Sequence, residues 1–311
     1  MTAVSFAIPG RLLPKAQTNS KISLGIIADL HQDIMHDSYQ RLNAFVSEMK
    51  RNPTDVVVQM GDFATPKMEH QRLVELFHEA PGVPIHVLGN HDTDLGFQPE
   101  DCVAQWKIPG TYYKKEVNGF TLLVLDGNQK GSPTFQGGYP SYIGAAQLNW
   151  LDGELESADG PVIILSHQPL KGWLEVDDAE KVRERLALYA DKIVICMCGH
   201  THIDQVYKEN GILYWHVNSA SYYWIGGNYI HQSYTVEIHE KHGNISRTCP
   251  YSEPLFARME IDLEMGWITV TGQQAEWVGA SPVDLGYRPA ESLWQGEEIV
   301  PYIRNRKWEG V

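Results

Sequence analysis

Five short apolar runs constrain the fold more than any other feature of this chain. Residues 22–28 (ISLGIIA), 55–60 (DVVVQM), 83–88 (VPIHVL), 161–165 (PVIIL) and 193–197 (IVICM) carry few polar side chains on either face. Runs of this length that are apolar on both faces are strands covered on both sides. Helical patterns separate the first three. Leu42, Phe45, Val46 and Met49 follow an i, i+3, i+4, i+7 spacing behind a cap at Asp37 or Ser38, and Leu73, Val74, Leu76 and Phe77 form a second set ended near Pro81-Gly82. A β-α-β-α-β start requires crossover helices and a parallel sheet.

The middle of the chain reads differently. Residues 112–117 and 120–125 flank Asn118-Gly119, a strong hairpin turn signal, and Asn210-Gly211 joins strands near 204–208 and 212–217 in the same way. Residues 127–140 form a Gly/Pro-rich loop. Helices are expected at 145–155, burying Leu148, Leu151 and Leu155, and at 179–190, burying Val182, Leu186 and Leu188. A further strand is expected at 233–239 and a hairpin at 256–263 and 267–271. The pattern predicts two sheets packed face to face with helices outside, a lead-in over residues 1–20, a main domain over 21–245, and a β-rich C-terminal extension over 246–311 packed on that domain.

Composition narrows the partners. With 311 residues, 43% hydrophobic and 21% charged, the chain has the make-up of an ordered globular protein. Its net charge of −14 argues against a nucleic-acid polymer as partner, which would need clustered Lys and Arg. No apolar run is long enough to span a bilayer. The N-terminal stretch lacks a basic region and a sustained apolar core, which favours the cytoplasm; a periplasmic or secreted protein whose leader had been removed would read the same way. Cys102, Cys196, Cys198 and Cys249 show no CxxC spacing and read as reduced thiols, with a single Cys102–Cys249 bridge left open. No sequence pattern specifies an oligomeric state.

The residues that follow the strands carry the chemistry. After the first comes Asp29-Leu30-His31; after the second, Gly61-Asp62; after the third, Gly89-Asn90-His91-Asp92. The fourth leads to Ser166-His167 and the fifth to Gly199-His200-Thr201-His202. Ligands of α/β sheets gather at the carboxyl ends of strands, so these side chains can converge across most of two hundred residues. In extended backbone i and i+2 share a side, which lets Asp29 with His31, and His200 with His202, reach one neighbourhood. Carboxylate, amide and imidazole together suit Mn, Fe or Zn better than Ca or Mg. Each piece alone has a blander reading as a turn, cap or loop histidine. Their occurrence as a full set at strand ends defeats that reading. His200 to Asp204 also approaches the HxHxDH pattern of metallo-β-lactamase-fold hydrolases, but Gln205 stands where its last histidine belongs.

The ordered set DxH, GD, GNHD, lone His and GHxH resembles that of the calcineurin-like metallophosphoesterase family over about residues 22–240. The resemblance implies a four-layer α/β/β/α sandwich of two mixed sheets. It implies two divalent or mixed-valence transition-metal ions, one held by Asp29, His31 and His202, the other by Asn90, His167 and His200, with Asp62 bridging. His91 would face the substrate and Asp92 would orient its ring. Two divalent ions, less two carboxylates and a bridging hydroxide, leave about one positive charge, enough to hold a phosphate in an acidic protein. The implied reaction is hydrolysis of a small phosphoester by in-line attack of a metal-bridging hydroxide on phosphorus. A phosphodiester or nucleotide-type substrate is favoured because the segment of Asn218, Ser219, Tyr222, Tyr223 and Trp224, near the GHTH loop, offers an aromatic surface for a base or similar group. Phosphomonoesters and nucleoside diphosphate-linked pyrophosphates are the alternatives, followed by a non-catalytic binding scaffold of the same fold. One departure stands out: many members place Asp or Asn shortly after GD, whereas Phe63-Ala64-Thr65-Pro66 follows here.

Overall fold

In a computed structural model, residues 20–294 and 296–310 are described. The expected lead-in, residues 1–20, lies outside them except for Ser20.

The apolar runs become the inner strands of two six-stranded sheets. The strands are β1 (Lys21–Ile27), β2 (Val56–Gln59), β3 (Val83–His86), β4 (Tyr113–Val117), β5 (Phe120–Val124), β6 (Val162–Leu165), β7 (Ile193–Cys198), β8 (Gln205–Glu209) and β9 (Ile212–His216). They continue with β10 (Tyr222–Trp224), β11 (Thr248–Pro250), β12 (Ala257–Asp262), β13 (Trp267–Thr271) and β14 (Arg306–Glu309). One sheet has the order β14-β13-β12-β1-β2-β3 and the other β4-β5-β6-β7-β9-β8; β10 and β11 form a separate ribbon. β1, β2 and β3 are parallel, as are β5, β6, β7 and β9, and the outer strands are antiparallel. Both sheets are therefore mixed.

Alternation along the buried strands separates two faces. Leu24, Ile26, Val56 and Val58 of the first sheet meet Leu122, Val124, Ile163, Ile195 and Trp215 of the second in the central core. Ile27 and Val57 turn outward to α1 (Ser38–Arg51), α2 (Gln71–His78) and α3 (Pro99–Trp106), where Leu42, Phe45, Met49, Leu73 and Phe77 cover them. Leu123 and Ile164 face α4 (Ala145–Ser157) and α5 (Ala179–Leu188), covered by Leu151, Leu155, Val182 and Leu186. The result is the expected four-layer α/β/β/α sandwich. Both Asn-Gly turns have left-handed φ at both residues, as tight hairpins demand: 50° and 81° at Asn118-Gly119, 51° and 80° at Asn210-Gly211.

Three expectations are corrected. Residues beyond 245 do not simply pack on a finished domain. β12 pairs antiparallel with β1, from Lys21↔Asp262 to Ile26↔Ala257, so the C-terminal segment builds half of the first sheet. Residues 233–239 do not form a strand: α6 (Val236–Lys241) begins inside them. The apolar Tyr234 and Ile238 fit an alternating strand, but they are also four residues apart, and they pack together against a small cluster with Ile34, Met35, Tyr222 and Ile245. Leu188, expected in the core, ends α5 and is 73% exposed. The reading of the cysteines stands: all four are buried free thiols, and Cys102 and Cys249 are not bridged. At the start of α1, Asp37 makes no side-chain cap bond; its carboxylate accepts instead from Arg41 Nε at 2.8 Å.

Candidate metal centre

The carboxyl ends of β1, β2, β3, β6 and β7 meet at one point between the two sheets. Their loops are tied by backbone bonds: Asp29 N–H donates to Gly61 O, His31 N–H to Asp62 O, and Gly199 N–H to His167 O. Asp29, His31, Asp62, His200 and His202 all have left-handed φ, between 50° and 67°. Each such residue costs about 1–2 kcal/mol relative to ordinary backbone. Five at one site amount to strain concentrated where side chains must be aimed, the pattern expected of a functional centre.

The donor atoms of the expected ligands fall into two groups with Asp62 between them, and a third set, His31, Asp33 and His91, adjoins the first. Asp29, His31 and His202 place one oxygen or nitrogen each within 4.8 Å of one another, and so do Asp62, His167 and His200. Asp62 Oδ2 lies 3.5 Å from His31 Nε2 and 3.2 Å from His167 Nε2, so it stands between the groups, while Oδ1 accepts the His91 N–H at 2.8 Å. Asn90 Oδ1 lies 3.2 Å from His167 Nε2. The seven expected ligands are thus brought together.

Their hydrogen bonding fits cations. His167 Nδ1 is 2.8 Å from Met60 O, His202 Nδ1 is 2.8 Å from Tyr222 O, and His31 Nδ1 is 3.0 Å from Asp33 Oδ1. Those acceptors fix the proton on Nδ1 and turn an Nε2 lone pair inward. Consequently His31 Nε2 faces His202 Nε2 at 3.2 Å, and His167 Nε2 faces the Asn90 oxygen, lone pair against lone pair. A cation between such atoms removes the repulsion. Without one, protons must do so: burial opposes a charge on His167, but Asp62, Asp29 and the Met60 carbonyl together raise its imidazole to about 9, while burial and the neighbouring His167 lower His200 to about 3.

The expected role of Asp92 is overturned. Its side chain is fully buried and accepts backbone N–H bonds from Asp62, Phe63, Ala64 and Gly89 at 2.8–3.1 Å. It ties the GD and GN turns together and does not touch the His91 ring. Burial and the nearby Asp62 raise its carboxyl to about 7. The ring of His91 is held by Asp94, whose Oδ2 is 2.9 Å from Nδ1, with Asp33 Oδ2 at 3.5 Å. Tyr139, from the Gly/Pro-rich loop, donates to Asp94 Oδ1 at 2.7 Å, and its ring lies tilted beside that of His91, centroids 4.9 Å apart. Burial opposes a charge on His91, but these carboxylates and Asp62 raise it to about 10. Asp33, Asp94 and Tyr139 went unassigned in the sequence reading; only the closeness of the two aspartates to His31 and His91 could have flagged them.

A cavity of about 400 Å³ opens over the donors. Tyr222, Tyr223 and Trp224 line it, as expected, and Tyr222 packs on His31 and His202. Asn218 and Ser219 do not: both are fully buried and structural. Asn218 donates to Val300 O and Tyr302 O and accepts from Tyr251, and the Ser219 hydroxyl donates to Asp29 O. Trp173 and Leu174, after β6, and Tyr287, from the C-terminal segment, complete the wall.

A layered sandwich with two donor groups joined by one carboxylate at its strand ends is the architecture of a dinuclear metallohydrolase. The model of the calcineurin-like phosphoesterase family matches residues 22–204, and the chain belongs to that family. By class it is a metal-dependent phosphoester hydrolase. No curated protein sequence matches it. Among solved structures it is similar to a dimetal phosphatase from Danio rerio (16% identity, 84% of this chain and 99% of that one, TM-score 0.57). It is also similar to GAP50, the anchor in the inner membrane complex of Plasmodium (13% identity, 92% and 90%, TM-score 0.54). A third is the purple acid phosphatase PPD1 from yellow lupin (12% identity, 92% and 59%, TM-score 0.50). At these identities the likeness is one of fold. No helix among the described residues is long and apolar enough to cross a membrane.

Proposed function

We propose that the protein is a phosphodiesterase. Asp29, His31 and His202 would hold one metal ion, Asn90, His167 and His200 the other, and Asp62 would bridge them. The mixed imidazole, carboxylate and amide donors suit Mn, Fe or Zn. When bound, the ions supply positive charge for the phosphoryl oxygens and acidify water near neutral pH. His91, at the cavity edge, donates a proton to the leaving oxygen. Asp94 and Asp33 accept from its Nδ1 and hold the ring, and Tyr139 fixes Asp94.

The observation that carries the diester reading is electrostatic. Among the described residues no Lys or Arg lines the cavity. Apart from the histidines placed as metal donors, its cationic side chain is His91, beside the carboxylates of Asp33, Asp62 and Asp94. A diester brings one negative charge, a monoester about two, and a nucleoside diphosphate-linked pyrophosphate a second phosphate for which no cationic partner lines the wall. The full donor set and the open cavity beside it favour catalysis over a binding scaffold. The test compares methyl p-nitrophenyl phosphate, p-nitrophenyl phosphate and a nucleoside diphosphate sugar on the metal-loaded enzyme. The diester is expected to show a kcat/KM at least about tenfold above either rival, and a preference for the monoester or pyrophosphate would overturn the reading.

A further inference from the structure

One end of the cavity is built to contact something apolar. Trp173, Leu174, Tyr223, Trp224, Ile225 and Tyr287 form it. Its polar side-chain atoms are the Trp indole nitrogens and the two phenol oxygens of Tyr223 and Tyr287, which lie 3.2 Å apart and share one hydrogen bond. No amide or carboxylate side chain of the described residues is among those that form this end, so the several donors and acceptors of a nucleobase edge would meet only indole and phenol groups and most would go unpaired, at a cost to binding.

The wall is also held in place. Gly172 has φ +111°, and a Cβ there would come 2.3 Å from the Tyr207 ring, so the loop bearing Trp173 and Leu174 lies close against β8. Its Gly172 N–H donates to Glu175, which pairs with Arg183, itself paired with Glu209. Trp224 is fixed by the β10–β11 ribbon opposite Thr248.

Leu174 is the telling residue. It has φ +57°, a conformation that favours Gly or Asn, and its side chain is 47% exposed. A leucine there gains little burial within the chain to offset the backbone cost. Trp224 is likewise 41% exposed on the cavity rim. Both present apolar surface to the space beside the metal donors.

We infer that this end of the site takes an apolar alkyl or aryl group of the phosphodiester, bound by shape, with Leu174 and Trp224 as specificity residues. The inference rests on the phosphodiesterase reading and narrows it to substrates other than nucleotides.

The test keeps the leaving group constant. Methyl, hexyl and phenyl p-nitrophenyl phosphates and thymidine 5′-p-nitrophenyl phosphate are compared on the metal-loaded enzyme, in wild type, Leu174→Gly and Trp224→Ala. The expected KM for the hexyl and phenyl esters is at least about tenfold below that for the methyl ester, with kcat little changed, as for contacts made equally in ground and transition states. The thymidine ester should show no such gain. In both variants the hexyl-to-methyl advantage should shrink to about twofold, while Leu174→Gly should melt no lower than wild type because glycine accepts its backbone angle. Tryptophan fluorescence titrated with hexyl phenylphosphonate gives a second readout, with a saturable change expected in wild type and a weakened one in Trp224→Ala. Turnover of all esters with equal KM would overturn the inference and leave the diester reading standing. Turnover of p-nitrophenyl phosphate but of no diester would overturn the reading beneath it. A gain confined to the thymidine ester, or no saturable fluorescence change, would also overturn the inference.

Discussion

Gly89→Ala should separate the two turns on which the metal centre depends. A Cβ at Gly89 would lie 2.1 Å from Asp62 N, 2.3 Å from Asp62 Oδ1 and 2.9 Å from Gly61 C, where ordinary contact begins near 3.4 Å. Two of the three atoms are backbone, so no side-chain rotation relieves the clash, and the ends of β2 and β3 must part by more than an ångström. Overpacking of this kind costs about 1–3 kcal/mol. The movement also strains the bonds from Asp62, Phe63 and Gly89 N–H to Asp92 and from His91 N–H to Asp62. Losing one of these charge-assisted bonds adds about 1.5–3 kcal/mol. A total of about 2.5–6 kcal/mol corresponds, in a chain of 311 residues, to a fall in melting temperature of about 4–9 °C. Metal loading should fall as well, because coordination tolerates only about 0.2 Å of error. Calorimetry and elemental analysis of the reconstituted variant check both. Gly153→Ala is the control: it lies within α4, a Cβ there meets nothing within 4 Å, and helix propensity should raise stability by about 0.5–1 kcal/mol. Wild-type melting and metal content in Gly89→Ala would refute the close approach of the two turns.

The remaining predictions are briefer. His91→Ala should leave the metals bound and slow hydrolysis by about 10²–10⁴, with alkyl leaving groups hit hardest and nitrophenolate least. Asp94→Asn should reproduce part of that leaving-group dependence without loss of stability, whereas Asp92→Ala, which strips an acceptor from four backbone N–H groups, should destabilise by several kcal/mol in urea unfolding. Equal destabilisation by both would contradict the division of labour. His216 is buried, and burial lowers its pKa to about 4 despite the bond to Lys171 O. Between pH 6.5 and 4 the unfolded chain therefore binds a proton that the folded chain does not, and stability present above pH 6.5 falls by about 3 kcal/mol as the pH drops to 4. Urea titrations across that range should show His216→Gln losing less than wild type, and parallel losses would contradict the assignment.

Much of this was legible in sequence because strands buried on both faces are apolar throughout, so their polar exits stand out. Asp29, His31, Asp62, Asn90, His167, His200 and His202, whose side chains the fold brings together, were all singled out that way. The roles of neighbours were harder to see. Asp92 adjoins His91, but the chain turns tightly after Asn90, and Asp94, three residues on, is the one that meets the ring. Tyr139 reaches it from a loop whose composition gives no direction. The hairpin of β12 and β13 was readable from alternation, yet its pairing with β1, across more than two hundred residues, leaves no local signal. Asn218 and Ser219 looked like pocket residues because short polar side chains beside aromatics suit a ligand; here they satisfy buried backbone carbonyls.

Metal stoichiometry tests the central claim most directly. Protein stripped with a chelator, reloaded with Mn and freed of excess metal should carry about two ions per chain by elemental analysis. Asp62→Asn should carry fewer, because a neutral amide between two cations cannot offset their repulsion. His202→Ala, which removes a ligand from one group only, should keep about one. A wild-type value of one or none, or two ions retained in Asp62→Asn at unchanged affinity, would contradict a dinuclear centre bridged by Asp62.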